Sequence, residues 1–312
     1  MSSADLVALR AVKETTFGVT PSSPALKQIR FTGESLNHNI ENTTSNEIRP
    51  DRTQQDLVQT SVQGAGDINI ELSYGSYKDF LAALFCSAWT AGIGDQEELT
   101  NGTTRSSFTI QKHFPDLSTP QFHNFKGCVI ESLSLKMELG KIVEGSFNFL
   151  SVGCTPSTTQ FSGATTPAAP STTPMNAVAN VQNLTLGGVP YTGCISSLSL
   201  MIKNNLRATM CIGSVGPKDI KLGTLEVTGD IEFYFNDGDQ YAAYIAGTTF
   251  DIAFDLVDID GNKYLVTLPR CKFEAGTVVA GGKNTDVMLS GKWRALYDAT
   301  ATNVIKLIAD PV

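Results

Sequence analysis

Apolar and polar residues alternate with a two-residue period through most of the chain, the period of a strand with one buried face. Ile68, Ile70 and Leu72 alternate with Asp67, Asn69 and Glu71. Leu133, Leu135, Met137 and Leu139 follow the same pattern, as do Ile231, Phe233 and Phe235, and Ile252, Phe254 and Leu256. Tyr264, Val266 and Leu268 resume it after Asp260-Gly261-Asn262, a turn that predicts a hairpin. Two stretches switch to helical spacing. Tyr77, Phe80, Leu81, Leu84, Phe85 and Ala88 form one stripe, with Ser76 and Asp79 as a capping box and Gly92 as the stop. A shorter helix is expected between Asp239 and Gly247.

The pattern occurs twice. Gly66-Asp67-Ile68-Asn69-Ile70-Glu71-Leu72 parallels Gly229-Asp230-Ile231-Glu232-Phe233-Tyr234-Phe235, and each run is followed by Tyr-x-x-aromatic-aliphatic-Ala, at Tyr77 and at Tyr241. Upstream, Glu34-Ser35-Leu36 through Asn42 parallels Ser196-Ser197-Leu198 through Asn204; downstream, Gly145-Ser146-Phe147 parallels Gly291-Lys292-Trp293. Four matches in one order predict a duplicated unit. Cys154 through Pro174 is dense in Thr, Ser, Pro and Ala with no apolar period, the composition of a linker. The expected organisation is a first module over 1–153, a linker over 154–175 and a second module over 176–312. Each module is several antiparallel strands with one helix packed on them.

Composition narrows the function. Charged residues are 17% of the chain, against about 25% in an average soluble protein. Ser, Thr, Gly and Asn take their place and suit strands and turns. A net charge of −8 argues against a protein that grips nucleic acid by neutralising phosphates. The longest apolar run, Phe80 to Trp89, is half of the roughly 20 residues that a spanning helix needs. The N-terminal Met1-Ser2-Ser3-Ala4-Asp5 has no basic patch or apolar stretch, so cytosolic synthesis is expected. The six cysteines form no Cys-x-x-Cys pair and read as buried thiols.

Candidate chemistry reduces to structure. Asp255, Asp258, Asp260 and Gly261 lack the closing Glu of a calcium loop and read as a hairpin turn. Gly276 to Asn284 has the wrong spacing for a phosphate loop, and Asn284 stands where a Ser or Thr should follow the Lys. His38, His113 and His123 sit in no nucleophile motif. No catalytic residue, metal site or cofactor is expected, and the protein reads as a non-enzyme. One segment differs: Asn42 to Ser61 is long for a hairpin loop and rich in both signs of charge. Glu47, Arg49, Asp51, Arg52 and Asp56 read as an arm that pairs with another subunit, because mixed charges set register between copies.

The chain resembles the major tail tube proteins of long, non-contractile-tailed (siphovirus-like) bacteriophages. The resemblance rests on Glu14-Thr15-Thr16-Phe17-Gly18-Val19-Thr20-Pro21, Ile29 to Leu36, Ser45 to Arg52, Gly66 to Tyr74 and Val278 to Met288. It implies β-sandwich, barrel-forming tube modules whose strands join between subunits around a lumen, and a structural role without catalysis. It also implies stacked rings of the chain itself. With two modules per chain these are trimers with pseudo-sixfold symmetry, and a long loop at Ser45 to Arg52 forms the inter-ring contact. The implied partners are the tape measure protein held in the lumen, the tail terminator and the distal tail proteins. DNA passes through without specific binding, and no membrane is involved. The implied location is the virion tail, assembled in the host cytoplasm. The competing reading from the residues is a β-sandwich adhesin or carbohydrate-binding tail protein.

Overall fold

The computed structural model describes residues 2–178, 180–236 and 238–312. The alternating runs form antiparallel strands, and the fold is mainly β. The principal strands of the first half are β1 (Ala8–Lys13), β2 (Gly33–Glu34), β3 (Asn37–Thr44), β4 (Leu57–Glu71), β5 (Phe108–Phe114), β6 (Gln121–Glu138), β7 (Glu144–Ser151) and β8 (Gly153–Ser157). Helix α1 (Lys78–Leu84) lies between β4 and β5. The second half has β9 (Val181–Leu186), β10 (Ile195–Lys203), β11 (Glu226–Tyr234), β12 (Thr249–Val257), β13 (Lys263–Ala280), β14 (Val287–Ala295) and β15 (Lys306–Asp310). Helix α2 (Asp239–Ala246) lies between β11 and β12.

Two long strands organise the sheets. The first part of β6 pairs with β5 on one edge and β8 on the other; its second part pairs with β7 and β10. The first part of β13 pairs with β12 and β15; its second part pairs with β14. The larger layer therefore runs β3-β4-β7-β6-β10-β11-β14-β13. The halves meet at β6 and β10, from Glu138 opposite Ser197 to Ser132 opposite Lys203.

Alternation sends one face of this layer into the core. Ile68, Ile70, Leu133, Phe147, Phe149, Leu198, Ile231, Phe233 and Trp293 are almost wholly buried there. Each such side chain contributes about 1.5–3 kcal/mol by leaving water. Phe80 of α1 meets the rings of Phe108, Phe147 and Phe149 edge-on, with centroids 5.1, 5.5 and 5.3 Å away. This is the geometry that aromatic quadrupoles favour.

Helix α1 is shorter than its stripe predicts. Cys86 takes φ +52°, and the N–H groups of Cys86 and Ser87 donate to the carbonyls of Ala83 and Ala82. That is a Schellman closure with Cys86 in the usual glycine place, so the closing residue comes six positions before Gly92. The capping box does not form, because the Ser76 hydroxyl pairs with that of Ser73 at 2.7 Å. Helix α2 ends at Gly247, φ +62°, as its sequence predicts. Residues 154–175 lie along the first half. Their start belongs to β8, Leu26 donates to the Thr165 carbonyl, and Met175, fully buried, donates to the Leu72 carbonyl. Cys86, Cys128 and Cys271 are buried, but Cys194 and Cys211 are exposed, against expectation. Both flank a strand of the second half in connecting loops, where the chain pattern carries no burial signal. No described helix is long and apolar enough to cross a membrane.

Candidate assembly surfaces

The opposite face of the large layer is polar. Glu71, Glu144 and Lys136 stand in one cross-strand row on β4, β7 and β6, and Asp230 and Lys292 face each other on β11 and β14. Carboxylates outnumber cations on this face. Asp67, Glu71, Glu138, Glu144, Glu226, Asp230, Glu232 and Glu274 stand against Lys136, Lys203, Lys272, Lys292 and Arg294. Arg294 pairs with both Glu226 and Glu274.

Both ends of the eight-strand run are open. Among the described residues, β2 and β3 pair with β4 alone, and Phe273 to Ala280 of β13 pair with β14 alone. At the β2–β3 edge, Ser35 donates its N–H to the Asp67 carbonyl on β4, so the backbone of Leu36 points outward. Charged side chains occupy it. The Glu34 carboxylate accepts the Leu36 N–H at 2.9 Å, and the Lys112 ammonium donates to the Leu36 carbonyl. Lys112 reaches there from β5, buried between the layers, and pairs with Glu34 at 2.5 Å.

The charged arm stands at one end of the layer. β3 and β4 form its base, and residues 45–56 form its tip. The Arg49 guanidinium makes two bonds to Asp51, at 3.2 and 3.1 Å, and a third to Gln55 at 2.9 Å. The bonds from Arg49 hold the Asp51 carboxyl below its ordinary value. Asp56 accepts the N–H of Leu57 at 2.7 Å, and Arg52 sits at φ +59°. The structure thus joins Arg49, Asp51 and the Asp56 turn within one tip. The side chains of Glu47 and Arg52 make no ion pair among the described residues. Ile48 at the tip is fully exposed, and Ile40, Leu57 and Val58 are exposed at the base.

The corresponding connection of the second half, between β10 and β11, lies back on the first half. The Arg105 guanidinium pairs with Asp219 and donates to the Ile220 carbonyl, and Val62 of β4 donates to the Val215 carbonyl. Arg105 keeps the Asp219 carboxyl below its ordinary value. At the root of this connection, Asn204 Nδ2 donates to the carbonyls of Leu84 and Ile130, at 3.0 and 3.1 Å. Sequence reading missed the Lys112–Glu34 pair and the Arg105 anchor, since no periodicity reports which distant charge meets which edge. Among the described residues the exposed aromatics are Phe235 and Tyr297, which follow the antiparallel neighbours β11 and β14 and so lie at opposite ends of the layer.

A β-rich subunit with two open strand edges, a polar sheet face and a projecting arm is built for association with its own kind. The chain matches the phage tail tube protein family over residues 4–295 and belongs to that family. It is a structural tail tube subunit and a virion component. Comparison with curated protein sequences gives no match.

Proposed function

We propose that three copies close into a ring, that rings stack into the tail tube, and that the lumen holds the tape measure protein and then conducts DNA. In this reading each chain supplies two tube modules, 1–153 and 176–312, with 154–175 crossing between them. The supporting observation is the pairing order. β3-β4-β7-β6 is followed by β10-β11-β14-β13, and the joint between the two runs is an ordinary antiparallel ladder of β6 on β10. The free edges of β13 and of β2–β3 are the same two kinds of edge, left open. Pairing them between copies repeats the internal joint and closes both free edges of the large layer, which a free sheet must otherwise protect.

Strand count favours three copies. Eight strands per chain give 24 around the ring. Barrels of about 16–18 strands already leave an aqueous channel, so 24 leave an open lumen, and six chains would need twice as many. The lumen wall is the polar face, and its excess of carboxylates gives phosphates few cations to bind. The arm at Glu47, Arg49, Asp51, Arg52 and Asp56 reaches the adjacent ring, and the tail terminator and distal tail proteins meet the end rings. Negative-stain images of the concentrated protein test the assembly: hollow tubes are expected, and a dispersed monomer at every concentration contradicts it.

A further inference from the structure

The open edge at β2–β3 differs from its internal counterpart in one respect: it is capped. The counterpart is identified by hydrogen bonds. Ser35 Oγ accepts the Asp67 N–H, and Ser199 Oγ accepts the Asp230 N–H, at 2.9 and 2.8 Å. Leu36 therefore corresponds to Leu200, and Glu34 to Leu198. On β10 the even-numbered residues turn their backbone toward β6, as the bond from Asn204 N–H to the Glu131 carbonyl records, and Leu200 stands opposite Leu135. The backbone groups of Leu200 that make the internal joint are thus the groups of Leu36 that Glu34 and Lys112 occupy.

Lys112 has a counterpart as well. Cys128 and Cys271 each aim a thiol at the carbonyl three residues back, Phe125 and Leu268. Ile110 pairs with Phe125 and Ile252 with Leu268. Two residues beyond each stand Lys112 and Phe254. Where the joint is made, these two positions hold Phe254 and Leu198, both about 1% exposed. Where the edge is open, they hold a Lys and a Glu. Inward-pointing charge is one of the devices by which proteins keep strand edges from pairing.

We propose that the Lys112–Glu34 pair is a releasable cap on the assembly edge, and that the β13 edge of a second copy docks only when the cap gives up the Leu36 N–H and carbonyl. This rests on the ring reading above, since the occupant is a second copy of this chain. Releasing the cap exchanges a charge-assisted bond on each Leu36 group for a ladder bond, which slows joining without blocking it. The cap would keep newly made subunits apart until an already formed ring offers several contacts at once.

The test compares the wild-type chain with Lys112→Met and Glu34→Gln. The reading is the concentration at which light scattering and electron microscopy first detect tubes. The cap predicts tubes from both variants at a concentration lower by about tenfold, the scale of one charged hydrogen bond. An unchanged or higher concentration, with wild-type tubes still forming, overturns the cap and leaves the ring reading standing. Absence of tubes from every protein, and from particles carrying the chain, overturns both. Should Lys112→Met fail to fold, Glu34→Gln decides alone, because it keeps side-chain size and leaves Lys112 its bond to the Leu36 carbonyl. Amide exchange gives an independent reading. Leu36 N–H should exchange about tenfold faster in unassembled Glu34→Gln than in the wild type, and equal rates count against the cap.

Discussion

Ser199 Oγ accepts the backbone N–H of Asp230 at 2.8 Å, fixing β10 against β11 at the point where Gly229 lets the strands approach. The same bond joins Ser35 to Asp67 beside Gly66. A Cβ on Gly229 would lie 2.1 Å from the Ser199 carbonyl oxygen and 2.3 Å from the Trp293 ring. On Gly66, at φ +151°, it would lie 2.4 Å from the Ser35 carbonyl oxygen. Backbone cannot yield as a flexible side chain does. Gly229→Ala should destabilise the chain by about 2–4 kcal/mol, through overpacking against fixed atoms. Urea unfolding followed by Trp fluorescence measures it, and a loss below the error of the method contradicts the close approach.

These bonds also show what the sequence could and could not reveal. Strand positions, the turn at Asp260-Gly261-Asn262 and the polarity of the sheet faces follow from a two-residue alternation and were readable. Register was not. The sequence match sets Ser35 beside Ser197, whereas the hydrogen bonds set it beside Ser199, two residues on. A two-residue slip keeps every side chain on its face, so alternation is blind to it. Likewise Phe147, not Gly145, stands across from Ile68 as Gly291 stands across from Ile231. The charged segment was visible in composition, and its tip contacts were not, because Arg49 could have met any of several carboxylates.

Thiol reactivity should divide the cysteines. Burial pushes the Cys86 thiol up to about 11 and Cys271 up to about 12, and raises Cys128 as well. Cys194 and Cys211 are exposed. A chromogenic disulfide reagent at pH 8 should titrate two thiols quickly, with Cys154, half-buried, slower and the other three only on unfolding. The raised values also give stability a sign. The buried thiols favour the fold below about pH 9, their ordinary value, and that contribution is lost as pH climbs through 11–12.

Reversing Arg49 and Arg52 to Glu should impair tube growth while leaving the subunit folded, because the tip is exposed and touches no core residue. Loss of the Arg49–Asp51 pair alone should leave the monomer's melting temperature nearly unchanged, because water screens a pair this exposed. Melting curves and tube lengths at two salt concentrations separate the effects. Normal growth with unchanged salt sensitivity would reduce the arm to a solvated loop.

The internal joint predicts the register between copies. Glu131 and Glu274 are the bulged residues of β6 and β13. Ser134, three beyond Glu131, faces Met201, which is two beyond Ser199. Thr277, three beyond Glu274, should then face Asn37, two beyond Ser35, on the next copy. The pair is of the non-hydrogen-bonded kind, with the closer side chains. With Cys194→Ser and Cys211→Ser as background, Thr277→Cys and Asn37→Cys should oxidise to covalent rings inside tubes. Val279→Cys with Asn37→Cys, two residues out of step, should not. Equal crosslinking by both pairs would refute the register.

The central claim is that one chain supplies two wall segments of the tube. Electron cryomicroscopy of tubes, resolving single strands, counts them directly. Three chains per ring are expected, with β13 of each paired to β2 and β3 of the next and 24 strands closing the wall, counted as eight from each chain. Six chains per ring, with one half of each standing outside the wall, would contradict it.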